Sequence, residues 1–294
     1  MDNGERSSGE TGVDIVDQDA ERMMRANRAN WDARTPIHVA SSFYGLDGSR
    51  PSATWFAGYE WADLGELAGV DLLHLQCHLG TETFAFAERG ARAVGLDLSG
   101  ASIRAARDLT AERGLDIEYV EANVYDAVDA LPGRTFDVIY TGKGALCYLP
   151  DLDRWAAVLA QLLRPGGRFY VVEFHPLLYA LGVVPPPDGS EELLLRHDFL
   201  HGRGAEERDG TRTYTDGPAL THDTTVYEWR HEIGEVVTAL VDAGLRIDLV
   251  REEDTLPWPR WPSMQPTGDG WFRLPPDAPR IPLLYAIRAT RPEQ

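Results

Sequence analysis

Short apolar runs alternate regularly with helical segments between residues 71 and 173, and this alternation constrains the fold more than any other feature of the sequence. Strands are predicted at residues 71–75, 93–96, 117–120, 136–140 and 168–173. Helices are predicted at residues 81–89, 100–113 and 153–163. Strands that alternate with helices of this length form right-handed βαβ units in a parallel sheet. The predicted class is therefore α/β, with ligands at the carboxyl ends of the strands.

The alternation lapses between residues 176 and 230 and resumes with a helix predicted over residues 232–243. Two further strands are predicted at residues 245–251 and 283–288. We therefore expect one domain over residues 20–294, with a substrate-side insert at 176–230 and a substrate-side loop at 256–279. Residues 1–19, rich in glycine, serine and acidic residues, are predicted to be a disordered tail.

Charge and composition exclude several classes of protein. The chain has 47 acidic against 28 basic residues and a net charge of -19, which disfavours a nucleic-acid partner. No apolar run reaches the ~18 residues of a membrane span, and the start lacks the pattern of a signal peptide. The 2 cysteines form no disulfide framework or CxxC motif, so we expect a cytoplasmic protein without a metal. The expected assembly is a monomer or homodimer.

The turn after the first predicted strand contains Gln76, Cys77, His78 and Gly80. Such a turn brings backbone N–H groups close to a ligand, usually with the help of glycines. Only Gly80 is a glycine here. An ordinary turn in which Cys77 and His78 are buried is therefore an equal interpretation of this segment taken alone.

Asp97 ends the second predicted strand, some 20 residues after the first loop. A carboxylate at this place can accept both hydroxyls of an adenosine ribose. The alternative is an aspartate that caps a helix or lies at the surface. Asn123 follows the third strand, where its amide could bind an adenine edge or could simply stabilise a turn.

Six segments of the chain occur in the order of a known family: NWDARTPIHVASSFY, HLQCHLGTET, GLDLS, FDVIYTGKGALCYLPDLDRW, LLRPGGRFYVVEFHP and EIGEVVTALVDAGLRIDLVREED. They lie within about residues 27–291. In these segments the chain resembles the class I S-adenosylmethionine (SAM)-dependent methyltransferases. It is especially similar to an actinobacterial subfamily whose first motif is HLQCHxG.

The resemblance implies a Rossmann-like sheet of seven strands, the last one antiparallel, flanked by helices and with a lid or insert after strand five. It also implies that SAM is the cofactor and S-adenosylhomocysteine (SAH) the product. The implied cofactor-binding residues are Gln76, Cys77, His78, Gly80 and Thr83 in the first loop and helix, Asp97 and Leu98 for the ribose, Asn123 and Val124 for adenine, and Thr141 and Gly142 for the methionine end. His74 departs from the class, which usually has an acidic residue there, and Gln76 and His78 replace glycines.

Arg34 lies in a segment that resembles the region covering SAM in this family. Its guanidinium could bind the methionine carboxylate through two parallel hydrogen bonds. A surface salt bridge is the alternative.

The acceptor side is predicted mainly from position. Glu173 and His175 end strand five, two residues apart, and could pair on one face as the general base. The alternatives are that Glu173 only holds the acceptor and that His175 belongs to a structural turn. Tyr179, Trp229, His231 and Trp258 are predicted to bind the substrate, although aromatic residues in long loops also form secondary cores.

The predicted function is methyl transfer from SAM to oxygen, nitrogen or carbon of a small molecule, in secondary metabolism. C-methylation of a prenyl diphosphate or another alkene is an alternative acceptor reaction. A non-catalytic SAM-binding protein and an NAD-dependent oxidoreductase are alternatives of other classes, although the sequence lacks the GxGxxG motif that is typical of the second.

Overall fold

The computed structural model describes residues 12–182 and 189–293 of the chain. Within these residues the helices are α1 Gly12–Ala40, α2 Gly58–Leu64, α3 Thr81–Glu88, α4 Gly100–Arg113, α5 Ala127–Ala130, α6 Leu152–Leu162, α7 Pro176–Leu181 and α8 Ile233–Asp242. The strands are β1 Asp71–Leu75, β2 Arg92–Asp97, β3 Ile117–Glu121, β4 Phe136–Thr141, β5 Leu163–Phe174, β6 Glu206–Asp209, β7 Thr225–Glu228, β8 Arg246–Glu253, β9 Thr255–Leu256, β10 Gln265–Pro266, β11 Phe272–Arg273 and β12 Leu284–Thr290.

The main sheet has seven strands in the order β3-β2-β1-β4-β5-β12-β8. The pairs from β3 to β5 are parallel, whereas β12 is antiparallel to both of its neighbours. This confirms the predicted methyltransferase-like sheet with an antiparallel last strand. Leu75 of β1 is in register with both Leu96 and Thr141, so the ends of β1, β2 and β4 meet at one edge.

Two apolar layers sandwich the sheet, because neighbouring residues of each buried strand point to opposite faces. On one face, Trp155 and Leu159 of α6 pack with α8 and α5 against the sheet. On the other face, Phe84 and Phe86 of α3 pack against Tyr140 and its neighbours. Both faces are covered, as expected for a largely parallel sheet, and the polar strand ends at its edge are the remaining place for a ligand.

Helix α1 begins at Gly12, whereas the sequence predicted a disordered tail over residues 1–19. Residues 12–19 of the predicted tail belong to this helix, and residues 1–11 lie outside the described part of the chain, where the tail stays a prediction. Polar contacts with distant segments of the chain hold this helix in place. The Asn27 side chain donates to the Tyr227 carbonyl and accepts from the Tyr227 N–H, both at 2.8 Å.

The segment between β5 and α8 contains α7 and the antiparallel pair β6–β7, and the loop before β12 contains a three-stranded sheet of β9, β10 and β11. Residues after β6 contact α1 and the residues that follow it: the Asp223 carbonyl accepts from Asn30 of α1, and Asp216 accepts from Ser42 just after the helix. Helix α1 and this segment therefore lie together. No helix in the described residues has both the length and the apolar composition to cross a membrane.

Candidate active site

The first loop keeps a glycine-type backbone although two of its residues are not glycine. Gln76, His78 and Gly80 have φ angles of 56, 48 and 75°. Residues with a side chain rarely adopt this left-handed backbone conformation, whereas glycine adopts it without steric cost. A Cβ atom at Gly80 would also overlap the ring of Tyr119. The loop thus follows the path of a glycine-rich ligand-binding turn, with side chains where that turn usually has none.

Asp97 ends β2 as a buried carboxylate directly below the first loop. It accepts the N–H of His78 at 2.9 Å and the N–H of Ser99 at 2.8 Å. Burial raises the pKa of Asp97 to about 6, and the two N–H donors partly offset this effect. A carboxylate can accept about four hydrogen bonds, so two positions remain for the hydroxyls of a ribose.

Asn123 and Leu98 line an open groove of about 1330 Å³ beside the ends of β2 and β3. The Asn123 side-chain oxygen accepts the N–H of Tyr125 at 3.1 Å and so caps a short 3-10 turn. Val124 begins that turn and is buried. The turn role considered from the sequence is therefore present. The amide nitrogen of Asn123 donates to Met24 Sδ at 3.7 Å, which leaves its second N–H for a ligand.

Four buried polar atoms around this edge have no hydrogen-bond partner in the described residues. They are Arg34 Nε, His74 Nε2, Gln76 Oε1 and Thr141 Oγ1. Buried polar groups are almost always paired, because burial without a partner costs about 1–3 kcal/mol each. The four atoms belong to α1, β1, the first loop and β4, and these elements adjoin the strand ends. The donor and acceptor set thus fits a polar ligand such as the amino-acid end of SAM.

Arg34 is buried, with 6% of its surface exposed, and its guanidinium lies 5.3 Å from the centre of the Trp31 ring. Among the described residues no carboxylate oxygen forms a salt bridge with it. The surface salt bridge considered from the sequence is therefore absent. A buried guanidinium without an acidic partner fits a ligand carboxylate.

Two residues of the predicted cofactor set point into the protein. The hydroxyl of Thr83 pairs with His74 Nδ1 at 2.8 Å, and the Thr83 side chain is fully buried. The Cys77 thiol packs against Gly95, and burial raises its pKa well above the usual value. Thr83 therefore orients His74, and Cys77 can offer a ligand only its backbone.

Glu173 is the most heavily hydrogen-bonded carboxylate at the edge. Its oxygens accept the N–H groups of Gly144, Ala145, Leu146 and Phe174 at 2.6–2.9 Å. Burial raises its pKa, and these four donors offset part of the increase. Glu173 therefore holds the loop after β4 in place, a contact geometry that favours positioning over proton transfer.

His175 does not pair with Glu173, so that part of the sequence prediction is wrong. Strand β5 ends at Phe174, and His175 caps α7 by accepting the N–H of Leu177 on Nδ1 at 3.0 Å. Its Nε2 donates to Glu252 at 2.9 Å. Burial lowers the pKa of His175, and Glu252 opposes this effect. The turn role considered from the sequence is the one that the geometry shows.

The four predicted acceptor-binding residues fall into two groups. Tyr179 and Trp258 both pack on the Phe174 ring, with centroid distances of 6.1 and 5.2 Å, and the Tyr179 hydroxyl is 3.5 Å from Glu173. By contrast, the Trp229 N–H donates to the Cys147 carbonyl. His231 bonds the Leu149 carbonyl and Glu235, which ties α8 to the same loop.

An aromatic cluster that sequence reasoning missed lies beside the first loop: Phe43, Tyr44, Trp55 and Tyr214. The hydroxyls of Tyr44 and Tyr214 hydrogen-bond to each other across 170 residues of sequence. Phe43 and Tyr44 end the first of the six segments that resemble the family, and Tyr214 lies in the predicted substrate-side insert. Only the folded chain brings these residues together.

A chain of hydrogen bonds joins His78 to helix α1 and to the segment after β6. His78 Nε2 is 2.8 Å from His38 Nδ1, and His38 Nε2 is 2.7 Å from the Thr213 hydroxyl. His78 Nδ1 pairs with Ser102 at 2.9 Å. Burial lowers the pKa of both histidines, that of His38 to about 3, so both are neutral near pH 7. The histidine that replaces a loop glycine thus connects α1, α4 and the segment after β6.

Comparison with known proteins adds an independent line of evidence. A family model described as a methyltransferase domain matches residues 73–169, which include the first loop and the ends of β2, β3 and β4. The nocamycin O-methyltransferase of Saccharothrix syringae is 39% identical over 127 residues, covering 42% of this chain and 41% of that protein. The chain therefore matches less than half the length of this relative.

A ubiquinone biosynthesis O-methyltransferase of Stutzerimonas stutzeri is 29% identical over 198 residues, covering 63% of this chain and 80% of that protein. A crystal structure of a SAM-dependent methyltransferase from Clostridium acetobutylicum shares the fold, with a TM-score of 0.54 and 14% identity over 88% of this chain and 96% of that chain. Another from Mesorhizobium loti has a TM-score of 0.50 and 24% identity, covering 80% and 99%.

The antiparallel last strand, the glycine-type first loop with Asp97 below it, and the matched methyltransferase domain agree with one another. They do not support the alternative of an NAD-dependent oxidoreductase. Residues 73–169 match a methyltransferase domain, and the chain has the fold of SAM-dependent methyltransferases.

Proposed function

We propose that the chain methylates a hydroxyl group of a small, largely apolar molecule in secondary metabolism. The observation that carries this proposal is the aromatic cluster of Phe43, Tyr44, Trp55 and Tyr214, which joins residues after α1 to the segment after β6 beside the first loop. Small-molecule sites are typically lined by aromatic side chains with a few polar groups. Residues 176–230 and 256–279 act in this proposal as the substrate-side insert and loop.

Oxygen is the proposed acceptor atom because two of the relatives reported above carry O-methyltransferase in their names. Membership of the actinobacterial HLQCHxG subfamily belongs to the same proposal. We also propose that the protein works in the cytoplasm, as a monomer or homodimer, without nucleic acid. The buried free thiols of Cys77 and Cys147 and the net charge of -19 are consistent with that setting.

The chain's own residues mainly bind and orient. When bound, SAM supplies an activated methyl group on a sulfonium, and displacement then depends on alignment with the acceptor. Asp97 accepts the ribose hydroxyls, Arg34 binds the methionine carboxylate, and Asn123 donates toward adenine. Glu173 keeps the loop after β4 in position, and the aromatic cluster excludes water from the acceptor.

Binding and turnover assays with the full chain test this proposal. SAH is expected to raise the melting temperature, whereas NAD and NADP leave it unchanged, because only a bound ligand stabilises the folded state. Transfer of a labelled methyl group from SAM to a panel of phenols, aliphatic alcohols and amines of similar size should label hydroxyl acceptors. Label confined to the amines would contradict O-methylation, and SAH binding without turnover on any acceptor would favour a non-catalytic SAM-binding protein.

A further inference from the structure

We propose that Glu82 binds the α-ammonium group of SAM. The resemblance described above gives Glu82 no role, and the family's usual acidic position is occupied by His74. The proposal rests on SAM binding at the strand ends, as set out under the proposed function.

Glu82 reaches this place from the first turn of α3, directly after the first loop. Its carboxylate faces Gly142, the residue that follows β4, so closely that a Cβ atom there would lie 2.7 Å from Glu82 Oε2. The missing side chain at Gly142 therefore lets the carboxylate approach the chain after β4. Thr141, with its unpartnered hydroxyl, is the residue before.

Glu82 shares its nearest cation with a second carboxylate. Lys143 Nζ lies 2.9 Å from Glu60 and 3.7 Å from Glu82, so Glu60 is its nearer partner. Arg50 also lies within electrostatic range of Glu82. His74 adds no positive charge near pH 7, because burial and the nearby Lys143 lower its pKa to about 3. Partly buried charges are stabilised by close partners of opposite sign, and among the described residues no cationic nitrogen lies closer than 3.7 Å to a Glu82 oxygen. The Glu82 carboxylate can therefore still receive the cationic group of a ligand.

Glu82 is the member of the cluster that can receive this cation. Its Oε1 accepts the Tyr140 hydroxyl at 3.2 Å, whereas its Oε2 has no hydrogen bond to any described residue. The Glu82 side chain is 18% exposed, while that of Glu60 is fully buried. His74 Nε2 lies 4.0 Å from Oε2 without a partner of its own.

Glu82 and Arg34 together match the charges of a free amino-acid group. Glu82 stands in the first turn of α3 and Arg34 in α1, and both helices adjoin the strand ends. The methionine end of SAM carries an α-carboxylate and an α-ammonium on one carbon, and it needs such a pair of partners.

Two ligands that differ in this end test the inference. SAH carries the α-amino acid group, whereas 5′-methylthioadenosine keeps the adenosine and the sulfur without it. Glu82→Gln should weaken SAH binding about tenfold or more, the effect of losing one hydrogen bond to a charged group. The affinity of the Glu82→Gln variant for 5′-methylthioadenosine should equal that of the unmodified protein. Calorimetry measures both affinities without turnover.

Glu112→Gln is the matched control, because Glu112 is an exposed glutamate on α4. It should leave both affinities unchanged. Glu82→Asp keeps the charge on a shorter side chain and should recover part of the SAH affinity, which a loss of folding would not allow.

Three results would overturn the role of Glu82: unchanged SAH affinity in Glu82→Gln, equal weakening of both ligands, or Glu82→Asp no better than Glu82→Gln. The first of these would leave Glu82 as a partner of Lys143 alone. Failure of the unmodified protein to bind either ligand would instead overturn the proposed SAM site itself.

Discussion

The ends of β2 and β5 form an instructive pair, since each carries a buried carboxylate at the same edge of the sheet. Asp97 is 7% exposed and accepts two backbone N–H groups. Glu173 is 2% exposed and accepts four. Burial raises the pKa of both groups.

The difference lies in the acceptor positions that remain. With two donors bound, Asp97 can still accept two hydrogen bonds from a ligand, whereas four donors use the full capacity of Glu173. A carboxylate at a strand end can thus serve either as a ligand partner or as an anchor for the next loop. The number of backbone donors around it distinguishes the two roles.

The largest expected effect comes from Glu173→Gln. Whichever way the amide is turned, its NH₂ group faces two backbone donors, and each buried N–H without an acceptor costs about 1–3 kcal/mol. We expect the free energy of unfolding to fall by at least about 3 kcal/mol, as measured by urea denaturation. An undiminished stability together with a kcat reduced ~10²-fold would instead restore Glu173 as a general base.

A smaller effect, on ligand affinity instead of stability, is expected for Asp97 at the end of β2. Asp97→Ala removes the proposed ribose acceptor and should weaken SAH binding about tenfold or more, equivalent to ~1.5–3 kcal/mol. Calorimetry on the folded variant measures this. Unchanged affinity would show that Asp97 does not bind the ribose, and the proposed difference between Asp97 and Glu173 would then be wrong.

The affinity for SAH should also depend on pH. In the ligand-free protein the pKa of Asp97 is about 6, above the usual aspartate value, so the carboxyl group is increasingly protonated as the pH falls below that point. A protonated group accepts hydrogen bonds less well, and the Kd for SAH should rise as the pH falls from 7 to 5. Asp97→Asn should abolish this part of the pH dependence, and a parallel profile in the variant would assign it to another group.

The smallest expected effect is that of Tyr179→Phe. The Tyr179 hydroxyl is 3.5 Å from a Glu173 oxygen that already accepts two N–H groups. Its loss should change the free energy of unfolding by less than about 1 kcal/mol. The KM of an identified acceptor reports the predicted substrate role separately. A destabilisation as large as that of Glu173→Gln would mean that the backbone donors alone do not hold the carboxylate.

Local signals predicted the strand ends well. The alternation of short strands and helices predicted the order of elements and placed Asp97 at the end of β2, where it lies. Thr83 and His175 were placed less well, because a hydroxyl or an imidazole can point to a ligand or to a neighbour. Thr83 bonds His74, and His175 bonds Glu252 across 77 residues.

The sequence by itself determined the alternating elements of the sheet and the position of Asp97, because these follow from hydrophobic periodicity and from the order of elements along the chain. The antiparallel last strand was implied only by the resemblance to the methyltransferase family. Only the tertiary structure decided which buried groups have partners. It gave Glu173 four backbone donors and placed Glu82 against Gly142. Among the residues that the structure describes, it left Arg34 without a carboxylate partner. The physical reason is that the hydrogen-bond partners and charge neighbours of a side chain come from segments distant in sequence, whose approach depends on the packing of the whole fold.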